Sequence, residues 1–120
     1  MSDQGLRPAE RLRRSSEYQR VFQHGKKLVA PTFVLYVLPT SEFCSRLGMA
    51  VSRQVGEAVV RNRVKRRLRE LFRRHKALLQ PACDVVFVAR RSAAEASLEE
   101  FTRQFLVLLR RYQRTEADKE

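Results

Sequence analysis

The sequence predicts a single α+β domain whose elements follow in the order αβββαβα. The chain has 120 residues, of which 43% are hydrophobic, and this size and composition suit one compact core. Four short segments have the composition or alternation of strands, and three longer ones carry apolar residues at helical spacing. We expect the domain to span residues 1–114, with an ordered core at about 11–112 and an acidic, flexible tail at 115–120.

A helix is predicted near the start of this core. Ser16 and Gln19 have the spacing of a capping box and Gly25 supplies a stop signal, so the helix is expected over residues 16–23. Three strands should follow, because the next apolar segments are rich in β-branched and aromatic residues or alternate strictly. These segments are residues 28–30, 33–38 and 46–52. The second strand is expected to be covered on both faces and the third to be half-buried.

The segment "VVRNRVKRRLRELFRRH", residues 59–75, predicts a long amphipathic helix. On a helical wheel its apolar side chains share one arc, while most basic side chains occupy the opposite arc and its margins. The apolar arc comprises Val60, Val64, Leu68, Leu71, Phe72 and His75, with Leu79 continuing it. Neighbouring like charges at i,i+4 each cost a few tenths of a kcal/mol, so burial of the apolar arc must outweigh that repulsion.

The rest of the sequence predicts a strand and a final helix. Residues 84–89 are almost continuously apolar, which is typical of a strand buried on both faces. Ser97 and Glu100 form a second capping-box pattern, and apolar residues then recur at helical spacing until an expected end near Arg114. A strand, a long helix and a further strand indicate a parallel pair joined by a crossover.

The charge of the chain indicates an anionic partner. Its 25 basic and 13 acidic residues give a net charge of +12. Residues 53–76 hold ten basic residues against Glu57 and Glu70, an excess of eight within that total. Arginine dominates this segment and pairs with phosphate through a bidentate fork, so nucleic acid is the expected partner. A solvated charged surface, an acidic protein and a membrane surface are the alternatives.

Arg61 is the exception to the separation of charge on the long helix. It falls inside the apolar arc, where an unpaired guanidinium would be costly. Either the first turn of the helix overhangs the core or Arg61 pairs with an anion, and both interpretations stay open.

The sequence favours a cytoplasmic protein with reduced thiols. Cys44 and Cys83 form no CxxC pair, and the first ten residues lack the apolar core of a signal peptide. The longest apolar runs are far shorter than the roughly 20 residues that span a bilayer. We therefore expect no membrane partner.

The basic segment also carries a family resemblance. "GEAVVRNRVKRRLRELFR", residues 56–73, resembles the RNR motif of bacterial ribonuclease P protein components. The likeness extends in the family's order through "RLRRSSEYQRVFQHGK", "FVLYVLP", "LGMAVSRQVG" and "DVVFVAR", over about residues 11–112. It implies a left-handed βαβ crossover, against the usual right-handed rule. It also implies a protein subunit of ribonuclease P, the small partner of a catalytic RNA that removes the 5′ leader from precursor tRNA.

The resemblance implies two groups of site residues. One would dock the catalytic RNA: Arg61, Asn62, Arg63, Lys65, Arg66 and Arg69. The other would hold the single-stranded leader in a cleft between the first helix and the sheet: Arg14, Tyr18, Phe22, Tyr36 and Arg53. From spacing alone Tyr18 and Phe22 would be ordinary core residues, and both interpretations stay open. Gln54 stands where the family commonly has a basic residue, and Glu57 where asparagine usually precedes the alanine.

The sequence predicts no catalytic centre on the protein itself. Its carboxylates lack the spacing of metal ligands, and His24 and His75 fit a helix end and an inner helical arc. We expect no catalytic residue, no cofactor bound by the protein, Mg²⁺ on the RNA of the holoenzyme and no obligate protein partner; a metal site on the protein stays unassigned. The alternatives are a ribosomal or architectural RNA-binding module without a processing role, and a standalone nuclease.

Overall fold

The computed structural model describes residues 6–118 and has the predicted order of elements. The helices are α1, Ser15–His24; α2, Ala58–His75; and α3, Leu98–Asp118. The strands are β1, Lys26–Val29; β2, Phe33–Pro39; β3, Arg46–Ala50; and β4, Cys83–Ala89. Short 3₁₀ turns lie at Pro8–Glu10, Lys76–Leu78 and Arg91–Glu95.

The start of α1 differs from the capping box expected at Ser16. The helix begins at Ser15, and the Glu17 carboxylate accepts hydrogen bonds from the backbone N–H groups of Arg13 and Arg14 at 2.8 and 3.0 Å. Arg14 is thus the residue that caps the helix, and Glu17, three residues later, has the place that Gln19 was expected to have. The helix is confirmed, but its capping residue was predicted wrongly.

The start of α3 is as predicted and its end is not. Ser97 N–H donates to the Glu100 carboxylate at 2.9 Å, and Glu100 N–H donates to the Ser97 hydroxyl at 3.1 Å, which confirms the capping box. The helix continues past Arg114 to Asp118. Residues 115–118 contain no glycine or proline to stop a helix, so they extend α3 instead of forming a separate tail, while 119–120 lie outside the described residues.

The strands form one mixed sheet in the order β1-β2-β4-β3. β2 pairs antiparallel with β1 and with β4, and β3 pairs parallel with β4. Since α2 connects the parallel pair, the predicted crossover is confirmed; its left-handed sense stays a prediction. β1 starts at Lys26, earlier than expected, because Lys26 and Lys27 pair with Val37 and Tyr36 in β2. β3 stops at Ala50, short of the expected end at residue 52.

The two faces of the sheet are covered unequally. α2 and α3 bury one face, where six side chains of β2 and β4 are at most 3% exposed: Phe33, Leu35, Val37, Cys83, Val85 and Phe87. α1 covers the other face around Val21 and Val86, both fully buried. This ten-residue helix is too short to cover the whole face, so Val34, Tyr36 and Leu38 stay partly exposed. The expectation that β2 is covered on both faces therefore holds only in part.

Within residues 6–118, no helix combines the length and apolar character needed to cross a membrane.

Candidate nucleic-acid interface

The apolar arc of α2 faces the core as its periodicity predicts. Val64, Leu68, Leu71 and Phe72 are all 0% exposed. His75 is half-buried, with Nδ1 3.0 Å from the Leu71 carbonyl oxygen, which places it on the inner side of the helix. The remaining side of α2, which carries the arginines, faces away from the sheet.

Arg63 and Arg67 bind the protein's own backbone. A guanidinium nitrogen of Arg63 donates to the carbonyl of Ala94 at 2.8 Å, and one of Arg67 donates to that of Ala96 at 2.7 Å. Both carbonyls lie in or just after the 3₁₀ turn that precedes α3, where backbone acceptors lack helical partners. These two arginines therefore tie α2 to the start of α3, and Arg63 is less available to RNA than the resemblance implied.

Arg61 also avoids the core by binding a carbonyl. Its Nε donates to the carbonyl of Gly56 at 3.1 Å. Gly56 has φ 155°, a conformation that side chains disfavour, and a Cβ there would lie 3.0 Å from the side chain of Val60. This glycine lets the chain turn sharply into α2 and leaves a carbonyl beside Arg61. The costly burial in the apolar arc is thereby avoided without an anion.

Two further arginines of α2 share one carboxylate as their partner. Glu70 accepts hydrogen bonds from Arg73 and from Arg74, each with a closest distance of 2.6 Å. The hydrogen bond from Arg73, followed by that from Arg74, lowers the pKa of Glu70 to about 2, although its partial desolvation opposes this shift. At the end of the helix, Lys76 pairs with Glu10.

Three cations of α2 remain without such partners. Lys65, Arg66 and Arg69 form no hydrogen bond or ion pair with another residue among 6–118. Asn62, which is exposed, lies on the same side of the helix. We call these four residues, Asn62, Lys65, Arg66 and Arg69, the open face of α2. The structure thus separates the predicted docking residues into this open face and the carbonyl-bound pair Arg61 and Arg63.

The predicted aromatic residues meet beside α1. The rings of Phe22 and Tyr36 contact edge to face with centroids 4.9 Å apart, and Phe22 is 39% exposed. The Tyr18 hydroxyl accepts a hydrogen bond from the N–H of Met49 at 3.3 Å. The Tyr18 ring lies over Gly48, where a Cβ would be 2.8 Å from it. Tyr18 is thus partly committed to packing, while Phe22 leaves much of its ring open.

The floor of this cleft was missed in the sequence. The row of paired residues next to α1 consists of Val29, Val34, Val88 and Ala50. Val29 is 51% exposed and the others are partly exposed. Their apolar character suggested strands buried on both faces, and only the shortness of α1 could have signalled that this row stays open.

The two basic residues predicted for the cleft lie toward opposite ends of β3. Arg53 follows the end of β3 and is exposed. Arg14 immediately precedes α1 and lines a cavity together with Arg46, the first residue of β3. Arg14 is therefore not grouped with the aromatic rings but lies beyond them along α1.

The cleft adjoins the open face of α2. A pocket of about 290 Å³ is lined by Tyr18 and Met49 on one side and by Lys65 and Arg69 on the other. RNA bound on the open face would therefore lie next to RNA bound in the cleft.

Within residues 6–118, no cluster of three or more histidine, cysteine or acidic side chains is placed to hold a metal ion. Cys44 and Cys83 are free thiols, and burial raises the pKa of each.

Comparison with known proteins finds one family along most of the chain. Residues 6–113 match the family described as Ribonuclease P. The ribonuclease P protein component of Desulfovibrio desulfuricans is 44% identical over 108 residues, covering 87% of this chain and 83% of the relative. The RNase P protein from Thermotoga maritima aligns with a TM-score of 0.75 at 33% identity, covering 85% and 96% of the two chains. That of Staphylococcus aureus aligns with a TM-score of 0.75 at 29% identity, covering 84% and 93%.

Proposed function

The chain belongs to the bacterial ribonuclease P protein family and is the protein subunit of that endoribonuclease; from this premise we propose how it binds two RNAs. The open face of α2 docks the catalytic RNA. The cleft between α1 and the uncovered row of the sheet holds the single-stranded 5′ leader of precursor tRNA.

The availability of Lys65, Arg66 and Arg69 is the observation that carries this proposal. Lys65 and Arg69 are one turn apart, so they repel each other in the isolated protein. Phosphates between them would remove that repulsion, and release of counterions from the RNA would add a favourable, salt-dependent term. Because the other arginines of the helix are bound to carbonyls or to Glu70, docking needs no internal contact to break.

The cleft has the chemistry of a site for unpaired nucleotides. Bases stack on aromatic rings without a sequence requirement, and Phe22 presents an accessible ring above an apolar floor. Arg14 and Arg53, toward opposite ends of β3, would follow the sugar-phosphate backbone. A leader of any sequence could therefore bind.

The pocket shared by Tyr18 and Lys65 supports a positioning role. Catalytic RNA on α2 and leader in the cleft would meet at the β3 edge, where the protein screens their phosphate repulsion. We assign the hydrolytic chemistry to Mg²⁺ held by the RNA, with the protein orienting the substrate.

Reconstitution with a matching catalytic RNA at low Mg²⁺ tests the role. The protein should stimulate 5′ processing of precursor tRNA, and the holoenzyme should prefer leader-bearing precursor over mature tRNA. Absence of stimulation would contradict the role as subunit, indifference to the leader would favour an architectural RNA-binding module, and cleavage by protein alone would indicate a nuclease.

Variants of the cleft test leader binding separately. Phe22→Leu keeps an apolar side chain at a partly exposed position but removes the ring, so it should reduce the preference for leader-bearing precursor. Tyr18→Phe is the matched control, because it keeps the ring and removes only the hydrogen bond to Met49. An unchanged preference in Phe22→Leu would contradict stacking in the cleft.

A further inference from the structure

Phe43 is an exposed aromatic residue beside a cationic cavity. It lies in the loop between β2 and β3 and is 86% exposed, the most exposed of the large hydrophobic residues described. A single exposed apolar residue is common on protein surfaces. Phe43, however, forms part of the wall of a cavity of about 440 Å³ that is also lined by Arg11, Arg13, Arg14 and Arg46.

The acidic groups around this cavity are mostly committed to other partners. Asp84, the residue of β4 paired with Arg46, binds the Arg46 guanidinium through two hydrogen bonds of 2.8 Å. Glu17 accepts hydrogen bonds from the N–H groups of Arg14 and Arg13 and a 3.2 Å contact from Arg46. These interactions lower the pKa of Glu17, the backbone hydrogen bond from Arg14 having the largest effect. Glu17 therefore stays ionised, with its oxygens occupied.

Two guanidinium groups at the cavity remain available. Arg13 and Arg14 are exposed, and their side chains form no hydrogen bond or ion pair with the described part of the chain. Glu42 lines the cavity beside Phe43 and would repel a phosphate there. An anionic group should therefore lie on the side of the two arginines, and an uncharged ring on the side of Phe43.

This separation matches the two halves of a nucleotide. An unpaired base stacks on an aromatic ring and its phosphate pairs with arginine. Arg14 lies one helical turn before Tyr18, so the cavity adjoins the start of α1, at the end of β3 opposite to the cleft floor at Ala50. We propose that Phe43, Arg13 and Arg14 form a second nucleotide-binding site, which takes an unpaired RNA nucleotide beyond those in the cleft; its identity as leader rests on the proposed function.

A single tryptophan at position 43 provides a direct probe, because the natural chain contains none. Titration of Phe43→Trp with a single-stranded RNA oligonucleotide should quench its fluorescence saturably, since the base stacks on the indole. Val107→Trp is the matched control: Val107 is 46% exposed on α3, among the exposed residues Arg103, Arg110 and Arg111, but none of the described cavities includes it. Equal quenching at both positions, or none at position 43, would overturn the site.

Loss of the ring gives the second test. Phe43→Ala should weaken binding of the same oligonucleotide about tenfold, and Phe43→Tyr should restore it; thermal melting checks that the fold is intact. Full affinity in Phe43→Ala would overturn the site. In the reconstituted holoenzyme, the defect of Phe43→Ala should appear only above a threshold leader length, and a defect independent of leader length would overturn its assignment to the leader. Because the oligonucleotide tests need no catalytic RNA, their outcome is separate from that of reconstitution.

Discussion

Replacing Arg66 or Arg69 by alanine should weaken binding of the catalytic RNA in a salt-dependent way, and replacing Arg73 should do so much less. All three residues lie on the outer side of α2, and each substitution removes one positive charge. Alanine favours helix, so the fold should persist in each variant. The variants differ in one respect: the Arg73 guanidinium is held by Glu70 at 2.6 Å, whereas Arg66 and Arg69 have no such partner among residues 6–118.

The expected magnitude follows from the release of counterions. Each phosphate contact changes the slope of log K against log salt by about 0.9. Over a fourfold rise in salt, from about 50 to about 200 mM, one contact therefore accounts for about a 3.5-fold change in affinity. Removing all three unpaired cations of the open face, Lys65 included, should reduce the slope by about 2.7.

Fluorescence anisotropy with labelled catalytic RNA at four salt concentrations measures these slopes. Arg66→Ala and Arg69→Ala should each lose about one contact, and Arg73→Ala, which removes the same charge, controls for the long-range field of the protein. The reasoning is refuted if the slope falls for Arg73→Ala and stays unchanged for the other two. In that case the open face would be an ordinary solvated surface.

Three further predictions concern the scaffold under the two surfaces. Gly48→Ala should lower the free energy of unfolding by about 1–3 kcal/mol, because the new Cβ would lie 2.8 Å from the Tyr18 ring; urea denaturation measures the loss, and an unchanged midpoint would contradict this contact. Asp84→Asn should cost about 3 kcal/mol, because a carboxylate that is 3% exposed then no longer neutralises Arg46; wild-type stability in urea would argue against the pair. Two arginines lower the pKa of Glu70 to about 2 from its usual value of 4.5, so their pairing stabilises the folded chain at pH values above 4.5 and is lost as the pH falls toward 2. At this partly exposed site the pairing contributes about 0.5 kcal/mol or less to the free energy of unfolding. Glu70→Gln should therefore remove this contribution from the acid dependence of stability in that pH window, and an identical pH profile would contradict it.

The burial of α2 could be predicted because it depends on local geometry. A period of 3.6 residues decides which side chains share an arc, and the core then selects the apolar arc, as Val64 and Leu68 show. The capping box at Ser97 and Glu100 is equally local and was also predicted correctly. At α1 the same pattern failed, because the helix begins earlier, at Ser15, and Glu17 takes the position expected for Gln19.

The availability of each arginine could not be predicted in this way. Arg63 and Arg67 bind carbonyls that lie 31 and 29 residues further along the chain. A helical wheel places both residues at the margin of the basic arc but cannot show which acceptors stand there. The open row beside α1 was missed for a similar reason, since an apolar strand residue looks the same whether or not a helix covers it.

The sequence by itself determined the order of elements, the inner side of α2 and the cationic character of the surface, because periodicity and charge belong to the chain and need no partner. Only the tertiary structure decided which cations stay available, that Phe22 and Tyr36 meet while Arg14 lies with Phe43, and that the cleft touches the open face at Tyr18 and Lys65. These features depend on where distant segments place their carbonyls, carboxylates and rings, and packing of the sheet between α1 and α2 sets those positions.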